Sequence, residues 1–176
     1  MKLAGGPTQD EVMAISMHKL GLRHGDVFAD IGCGTGKISV EAAGTAAKVY
    51  AIDLRDEAIE HARRLADDGG FSNIEFLPGE ASEMLPEIGG LDCAFVGGSK
   101  NLPQVLEALS DQVRGNIVVN AVLLNTVKEA VDTMTKLGIF KEVIHVQISR
   151  SHPLGDSIMF TPINPVYIIV GGRPQC

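Results

Sequence analysis

Cysteine is scarce in this chain: of 176 residues only Cys33, Cys93 and Cys176 carry thiols, and no two form a C-x-x-C pair. A zinc site or a disulfide framework is therefore not expected. The five histidines do not cluster either. His18 and His61 fall in predicted helices, His145 in a predicted strand, and His24 and His152 in predicted loops, whereas a metal site needs ligands that converge. Long apolar runs are also missing. Stretches such as Val166 to Val170 are far too short to cross a bilayer, and Met1-Lys2-Leu3-Ala4-Gly5-Gly6-Pro7 has no apolar core of a secretory signal, so the cytoplasm is the expected location. Positive charge is in deficit, with 15 Lys and Arg against 22 Asp and Glu and a formal net charge of −7. That balance argues against broad, nonspecific binding of nucleic acid, which depends on neutralising phosphates. A small anionic substrate held by a local basic patch remains compatible with it. There is no internal repeat, low-complexity tract or linker, and the length suits one domain, residues 1–176, with its own core.

Present throughout is an alternation of strand-like apolar runs with segments of helical period, the signature of a parallel βαβ sheet. Thr8 and Glu11 stand at capping-box spacing before a helix that Gly21 stops. Val27 to Ile31 reads as the first strand, and a helix follows from about Lys37 to Ala47. Lys48 to Ile52 is the second strand, ending at Asp53. Ile59, Ala62, Leu65 and Ala66 recur at helical spacing up to Gly69-Gly70. Ile74 to Leu77 and Asp92 to Val96 give strands three and four. Leu102, Val105, Leu106, Leu109 and Val113 mark the next helix, and Ile117 to Val122 the fifth strand. A short helix is predicted after Pro78-Gly79-Glu80-Ala81, and a further helix follows the fifth strand with Thr126 and Glu129 as a second capping box. The remainder differs: Ile144 to Ser149 alternates like a half-exposed strand, Val166 to Val170 is apolar, and no helix fits the Gly/Pro-rich stretch between them. These last two strands are expected to pair antiparallel. The predicted fold is thus doubly wound α/β, a mostly parallel seven-stranded sheet with an antiparallel C-terminal strand pair.

The chemistry concentrates in Asp30-Ile31-Gly32-Cys33-Gly34-Thr35-Gly36, which joins the first strand to a helix. Glycines there permit a tight turn and let the backbone approach a ligand without a Cβ clash. The following helix N-terminus favours an anionic group. Asp53 ends the next strand, where a carboxylate can accept hydrogen bonds from ribose hydroxyls. A dinucleotide fingerprint, G-x-G-x-x-G, would need glycine where Lys37 stands.

The spacing found instead, D-x-G-x-G-x-G, resembles motif I of class I S-adenosylmethionine-dependent methyltransferases, whose fold is Rossmann-like. That resemblance implies a cofactor site in which Gly32, Cys33, Gly34, Thr35 and Gly36 wall the methionine part and Asp30 orients the loop and the amino group. Asp53 would hold the ribose, and Glu80-Ala81 match an acid-small pair beside adenine. Asp30 and Glu80 also have plain structural readings, as a turn acceptor and a solvated turn carboxylate.

The flanks narrow the resemblance. Gly5-Gly6-Pro7-Thr8-Gln9-Asp10-Glu11-Val12, Val96-Gly97-Gly98-Ser99, Asn120-Ala121-Val122-Leu123-Leu124 and Gly155 to Val166 are similar to the decarboxylating C-15 methyltransferases of cobalt-precorrin in cobalamin biosynthesis. The similarity spans nearly the whole chain. It implies methylation of C-15, loss of carbon dioxide from the C-12 acetate side chain, a homotetramer, and a cofactor contact at Thr8 beside its role as a helix cap. Some relatives carry a fused C-5 methyltransferase, for which this chain has no room, so a separate partner enzyme is expected. The polycarboxylate substrate calls for cations, with Lys100, Arg150 and His152 as candidates. Ligands of open α/β sheets bind at the carboxyl ends of strands, which adds Gly98, Ser99 and Asn120; Asn120 could equally cap its strand. No dedicated catalytic acid or base stands out. Competing expectations are an RNA or protein methyltransferase, although Val96-Gly97-Gly98-Ser99 lacks the stacking aromatic of the N/D-P-P-Y/F loop, and a non-catalytic cofactor-binding subunit.

Overall fold

The structure, a computed structural model, describes residue 6, residues 8–98 and residues 100–173. In chain order the elements are α1 (Asp10–Leu20), β1 (Val27–Ile31), α2 (Lys37–Ala43), β2 (Lys48–Asp53), α3 (Asp56–Asp68), β3 (Ile74–Pro78) and α4 (Ala81–Met84) with a 3₁₀ turn, Leu85–Glu87. There follow β4 (Cys93–Val96), α5 (Leu102–Gln112), β5 (Asn116–Ala121), α6 (Leu124–Lys136), β6 (Phe140–Val146), β7 (Ser149–Leu154), β8 (Ser157–Pro162) and β9 (Val166–Gly172). Among the described residues no helix is long and apolar enough to cross a membrane.

Seven strands form one sheet in the order β3-β2-β1-β4-β5-β9-β6. The first five pair parallel, and β9 runs antiparallel between β5 and β6. The order reverses between β1 and β4, so the helices leave the two strands toward opposite faces and a crevice opens at their carboxyl ends. Alternation along each strand supplies two cores. Phe28, Val49, Phe95, Val118 and Ile168 pack under α1 and α2 through Val12, Leu20, Ile38 and Ala42. Ala29, Ile31, Ala94, Val96, Ile117 and Ile169 face Leu102, Leu106, Leu109 and Met134 of α5 and α6. Each fully buried Leu, Ile or Phe here contributes about 1.5–3 kcal/mol. That apolar burial on both faces is why strands one, two, four and five read as continuous apolar runs.

Several element ends differ from expectation. The Thr8–Glu11 capping box does not form: Gln9 takes the cap position of α1 with no side-chain bond, because Glu11 is drawn instead to Arg150 across the molecule. Thr126 likewise lies inside α6, whose cap is Leu123. The predicted helix to Ala47 ends at Ala43. Asn73 donates to the carbonyls of Ala43 and Ala46 at 3.0 and 2.9 Å, and the Ala47 amide bonds Asp26 O, so the chain is turned away before another turn can form.

The largest difference lies in the Gly/Pro-rich stretch. Ser149 belongs to β7, not to the end of the preceding strand, and His152 sits in β7 and not in a loop. β7 and β8 pair antiparallel as a separate two-stranded arm. The two-residue turn Gly155-Asp156 has Gly155 at φ +59°, as a type II′ hairpin requires. Its side chains are exposed on both faces, so no apolar/polar alternation marks the strands, and Pro153 and Pro162 are tolerated because the ladder has open edges.

Candidate active site

The loop after β1 is built by three glycines with left-handed backbones, at φ +70°, +54° and +78° for Gly32, Gly34 and Gly36. Each answers a different demand. A Cβ on Gly32 would lie 2.2 Å from the carbonyl oxygen of Gly98, so the loops after β1 and β4 touch backbone to backbone. A Cβ on Gly36 would lie 2.6 Å from the Ala62 Cβ, so this buried glycine lets α2 pack against α3. Gly34 instead turns its N–H onto the Asp53 carboxylate, 2.9 Å from Oδ2. The Gly32 and Cys33 amides both bond Ile52 O, at 2.8 and 3.0 Å, which fastens the loop to the end of β2.

Around this loop, at the carboxyl ends of β1, β2 and β4, lies a cavity of about 500 Å³. Its wall holds Thr8, Asp30, Gly32, Cys33, Gly34 and Thr35 on one side and Asp53, Glu80 and Ala81 on another, with Gly98 and Lys100 from the loop after β4. Gly36 does not line the cavity and serves the packing of the helix behind it. Ser99 lies outside the described residues. Asn120, Arg150 and His152 are elsewhere. The Asn120 amide bonds Ser16 Oγ at 3.0 Å and ties α1 to β5. The Arg150 guanidinium forks onto Glu11 at 2.6 and 3.0 Å, and that hydrogen bonding holds the Glu11 carboxyl down at about 2. His152 Nδ1 meets Thr161 Oγ1 at 3.2 Å.

Two of the wall's three acids, Asp30 and Asp53, are shifted in opposite directions. Asp30 is fully buried on β1, where Ser39 Oγ donates to its Oδ2 at 2.5 Å. Among the described residues its Oδ1 has no hydrogen-bond partner. Burial raises this carboxyl to about 7, against the Ser39 bond and with help from the nearby charge of Asp53. For Asp53 burial also acts upward, yet hydrogen bonds from Arg55 and Gly34 outweigh it and leave the group below its ordinary value. At neutral pH an acid close to its titration midpoint and a fully ionised one therefore face the same space. Cys33, also in the wall, is raised by burial and the two carboxylates, which keeps it an unreactive thiol.

Sequence reasoning missed Lys37, Leu54 and Arg55 in the wall. Lys37 donates to Thr8 O at 2.8 Å and pairs with Asp10, which holds the N-terminal segment against the cavity. Leu54 is 50% exposed, an apolar face beside the acid that ends β2. An arginine two residues after such an acid is a readable signal, since the turn brings its fork back onto the carboxylate.

The fold is that of a Rossmann-like methyltransferase. A family model described as the precorrin methyltransferase domain matches residues 3–171, and the chain belongs to that family. It is 49% identical to a probable cobalt-precorrin-6B C(15)-methyltransferase (decarboxylating) of Methanosarcina acetivorans, with 98% of this chain and 97% of that protein covered. Among solved structures it is similar to a precorrin 8W decarboxylase from Methanobacterium thermoautotrophicum, with a TM-score of 0.92 at 35% identity over 96% of this chain and 92% of the other. A precorrin-6Y C5,15-methyltransferase from Geobacter metallireducens superposes with a TM-score of 0.91 at 28% identity, covering 98% and 94%.

Proposed function

We propose that this chain is an S-adenosylmethionine-dependent enzyme that methylates C-15 of cobalt-precorrin-6B and releases the C-12 acetate carboxyl as carbon dioxide, in cobalamin biosynthesis. The single observation that carries the cofactor half is the unpartnered Oδ1 of Asp30, buried in the wall of the cavity. A buried acceptor without a donor is costly, and an ammonium group is the donor that would also draw Asp30 into its ionised form. The rest of the wall suits a nucleoside attached to an amino acid. Asp53 offers a carboxylate for ribose hydroxyls, Glu80 and Ala81 flank the base beside the apolar Leu54, and Gly32 to Gly36 with Thr8 enclose the amino-acid end. The volume lies within the range of pockets that enclose small ligands.

Bound there, the cofactor would supply an electrophilic methyl group. The chain's own contribution is placement and exclusion of water, worth effective molarities of roughly 10⁵ M or more in favourable cases. No side chain in the wall is poised as a strong base, and the conjugated macrocycle itself can take up the electron pair left by carbon dioxide. For the substrate, Gly98 and Lys100, which line the cavity, are favoured over Asn120 and Arg150, whose polar groups are engaged by Ser16 and Glu11; Ser99 is kept as a candidate on its sequence position alone.

The chain acts as one methyltransferase domain in the cytoplasm and assembles as a homotetramer, with a C-5 methyltransferase as its functional partner in the same conversion. Support for assembly comes from the β7–β8 arm, where Leu154, Ile158 and Phe160 are 58%, 70% and 65% exposed. An isolated hairpin is marginal in water, and burial against copies of itself would cover those side chains. The decisive test supplies cobalt-precorrin-6B and S-adenosylmethionine to purified protein and weighs the product. A mass increased by one methyl and decreased by carbon dioxide is expected; methylation with the carboxyl retained would remove the decarboxylating half.

A further inference from the structure

The Asp53 carboxylate is full. It accepts four hydrogen bonds: Gly34 N at 2.9 Å and Arg55 Nη2 at 3.1 Å on Oδ2, and Arg55 N and Arg55 Nε, each at 3.0 Å, on Oδ1. A carboxylate has about four acceptor sites in all. Asp53 is 6% exposed, so water cannot supply the difference. Two of the four donors are backbone amides fixed by the fold, one in the glycine loop and one at the start of α3. The other two belong to a single guanidinium, carried on a flexible side chain that is 37% exposed.

We infer that Arg55 is a displaceable latch, which occupies in the free protein the two acceptor sites that a ribose diol takes when a nucleoside binds, and so sets the affinity of the site. The count requires it. Two hydroxyls need two acceptor positions, the backbone donors cannot leave without unmaking the loop, and only Nε and Nη2 can. The guanidinium fork matches a carboxylate in the geometry that two vicinal hydroxyls also present. Its presence also answers an electrostatic need of the site. Asp53 and Asp30 repel each other across the cavity wall, and the arginine keeps Asp53 ionised until a ligand arrives. Arg55 thus competes with the nucleoside for Asp53 and is a positioning residue, distinct from the groups that hold the ligand.

This rests on the proposed nucleoside site, and the test separates the two. The probe is 5′-methylthioadenosine, which is neutral, so salt acts on its binding only through charges within the protein. Titration calorimetry compares wild type with Arg55→Met, which keeps the apolar stem, with Arg55→Ala, and with Arg55→Lys, which keeps the charge but not the fork. The Met and Ala variants are expected to bind about five-fold more tightly or better, the scale of a partly exposed ion pair, with Lys between them and wild type. Added salt should strengthen binding to wild type and leave the Ala variant unchanged. In the absence of ligand, the Ala variant should melt at a lower temperature. Equal or weaker binding by both the Met and Ala variants overturns the latch while the site stands. No binding by any of the four proteins overturns the site and the latch with it.

Discussion

The cavity at the carboxyl ends of β1, β2 and β4 and the β7–β8 arm are built on opposite principles. In the cavity, positions are fixed by contacts that leave no slack. Gly32 meets Gly98 backbone to backbone, Gly36 admits Ala62, and the Asp53 carboxylate is saturated by donors from its own chain. Among the described residues the strands of the arm pair only with each other, and apart from the Arg150–Glu11 ion pair to α1 the arm holds large apolar side chains out in solvent. One region is complete within the protomer except for the unmet acceptor of Asp30. The other has a hydrogen-bonded backbone and no core. On the proposed readings a ligand would answer the first deficit and a second protein surface the second, so perturbing one region should leave the other's readout alone.

The sharpest test of that contrast uses two glycines with similar backbones. Gly32 and Gly155 lie at φ +70° and +59°, yet a Cβ has a carbonyl oxygen 2.2 Å away at Gly32 and nothing within 4 Å at Gly155. Gly32→Ala is expected to lose about 3 kcal/mol or more of stability and at least ~100-fold in nucleoside affinity, through backbone displacement. Gly155→Ala should cost about 1 kcal/mol, from left-handed strain alone. Thermal melts that put the two together would break the distinction. Next in size, Asp30→Asn removes a titrating group. Because the folded value is raised to about 7, the wild-type carboxyl favours folding below its ordinary value and loses that contribution as pH rises through 7. The Asn variant should therefore gain stability relative to wild type between pH 5 and 8, by roughly 2–4 kcal/mol. A relative loss over that window would mean that Asp30 is ionised and paired.

Asp53→Ala should weaken S-adenosylmethionine binding ten-fold or more, about 1.4 kcal/mol, and unchanged affinity in calorimetry would sink the ribose assignment. The smallest effect on the cavity is expected from the arm. Ile158→Ser combined with Phe160→Ser should lower the mass seen by light scattering, while methylthioadenosine affinity stays within about two-fold, as for distant independent sites. A large change in affinity would show that the arm and the cavity are coupled. The pair Arg150–Glu11, which joins β7 to the first turn of α1, is the contact through which that would run.

How much of this was legible depends on how far apart in sequence the partners stand. The glycine loop, the helix after it and Asp53 follow one another within one βαβ unit, and their spacing carried the site. The sheet's parallel part was equally plain, since strands such as Val27–Ile31 and Cys93–Val96 are buried on both faces. Arg150 looked like a cation available for substrate because its partner Glu11 lies at the other end of the chain. Thr8 and Glu11 had the spacing of a cap, but a long-range ion pair overrode it. The arm escaped because strands exposed on both faces carry no periodicity.

By itself the sequence determined the order of strands and helices outside the β7–β8 arm, the turn chemistry of Gly32, Gly34 and Gly36, and the acid at the end of β2. These are properties of neighbouring residues, set by backbone sterics and by the period of apolar side chains. Only the tertiary structure decided that Gly32 abuts Gly98, that Asp30 is left with an unmet acceptor, that Arg55 fills Asp53, and that Arg150 belongs to Glu11. Each of these depends on which polar groups are brought together and shut off from water, and that is fixed by the closing of the sheet.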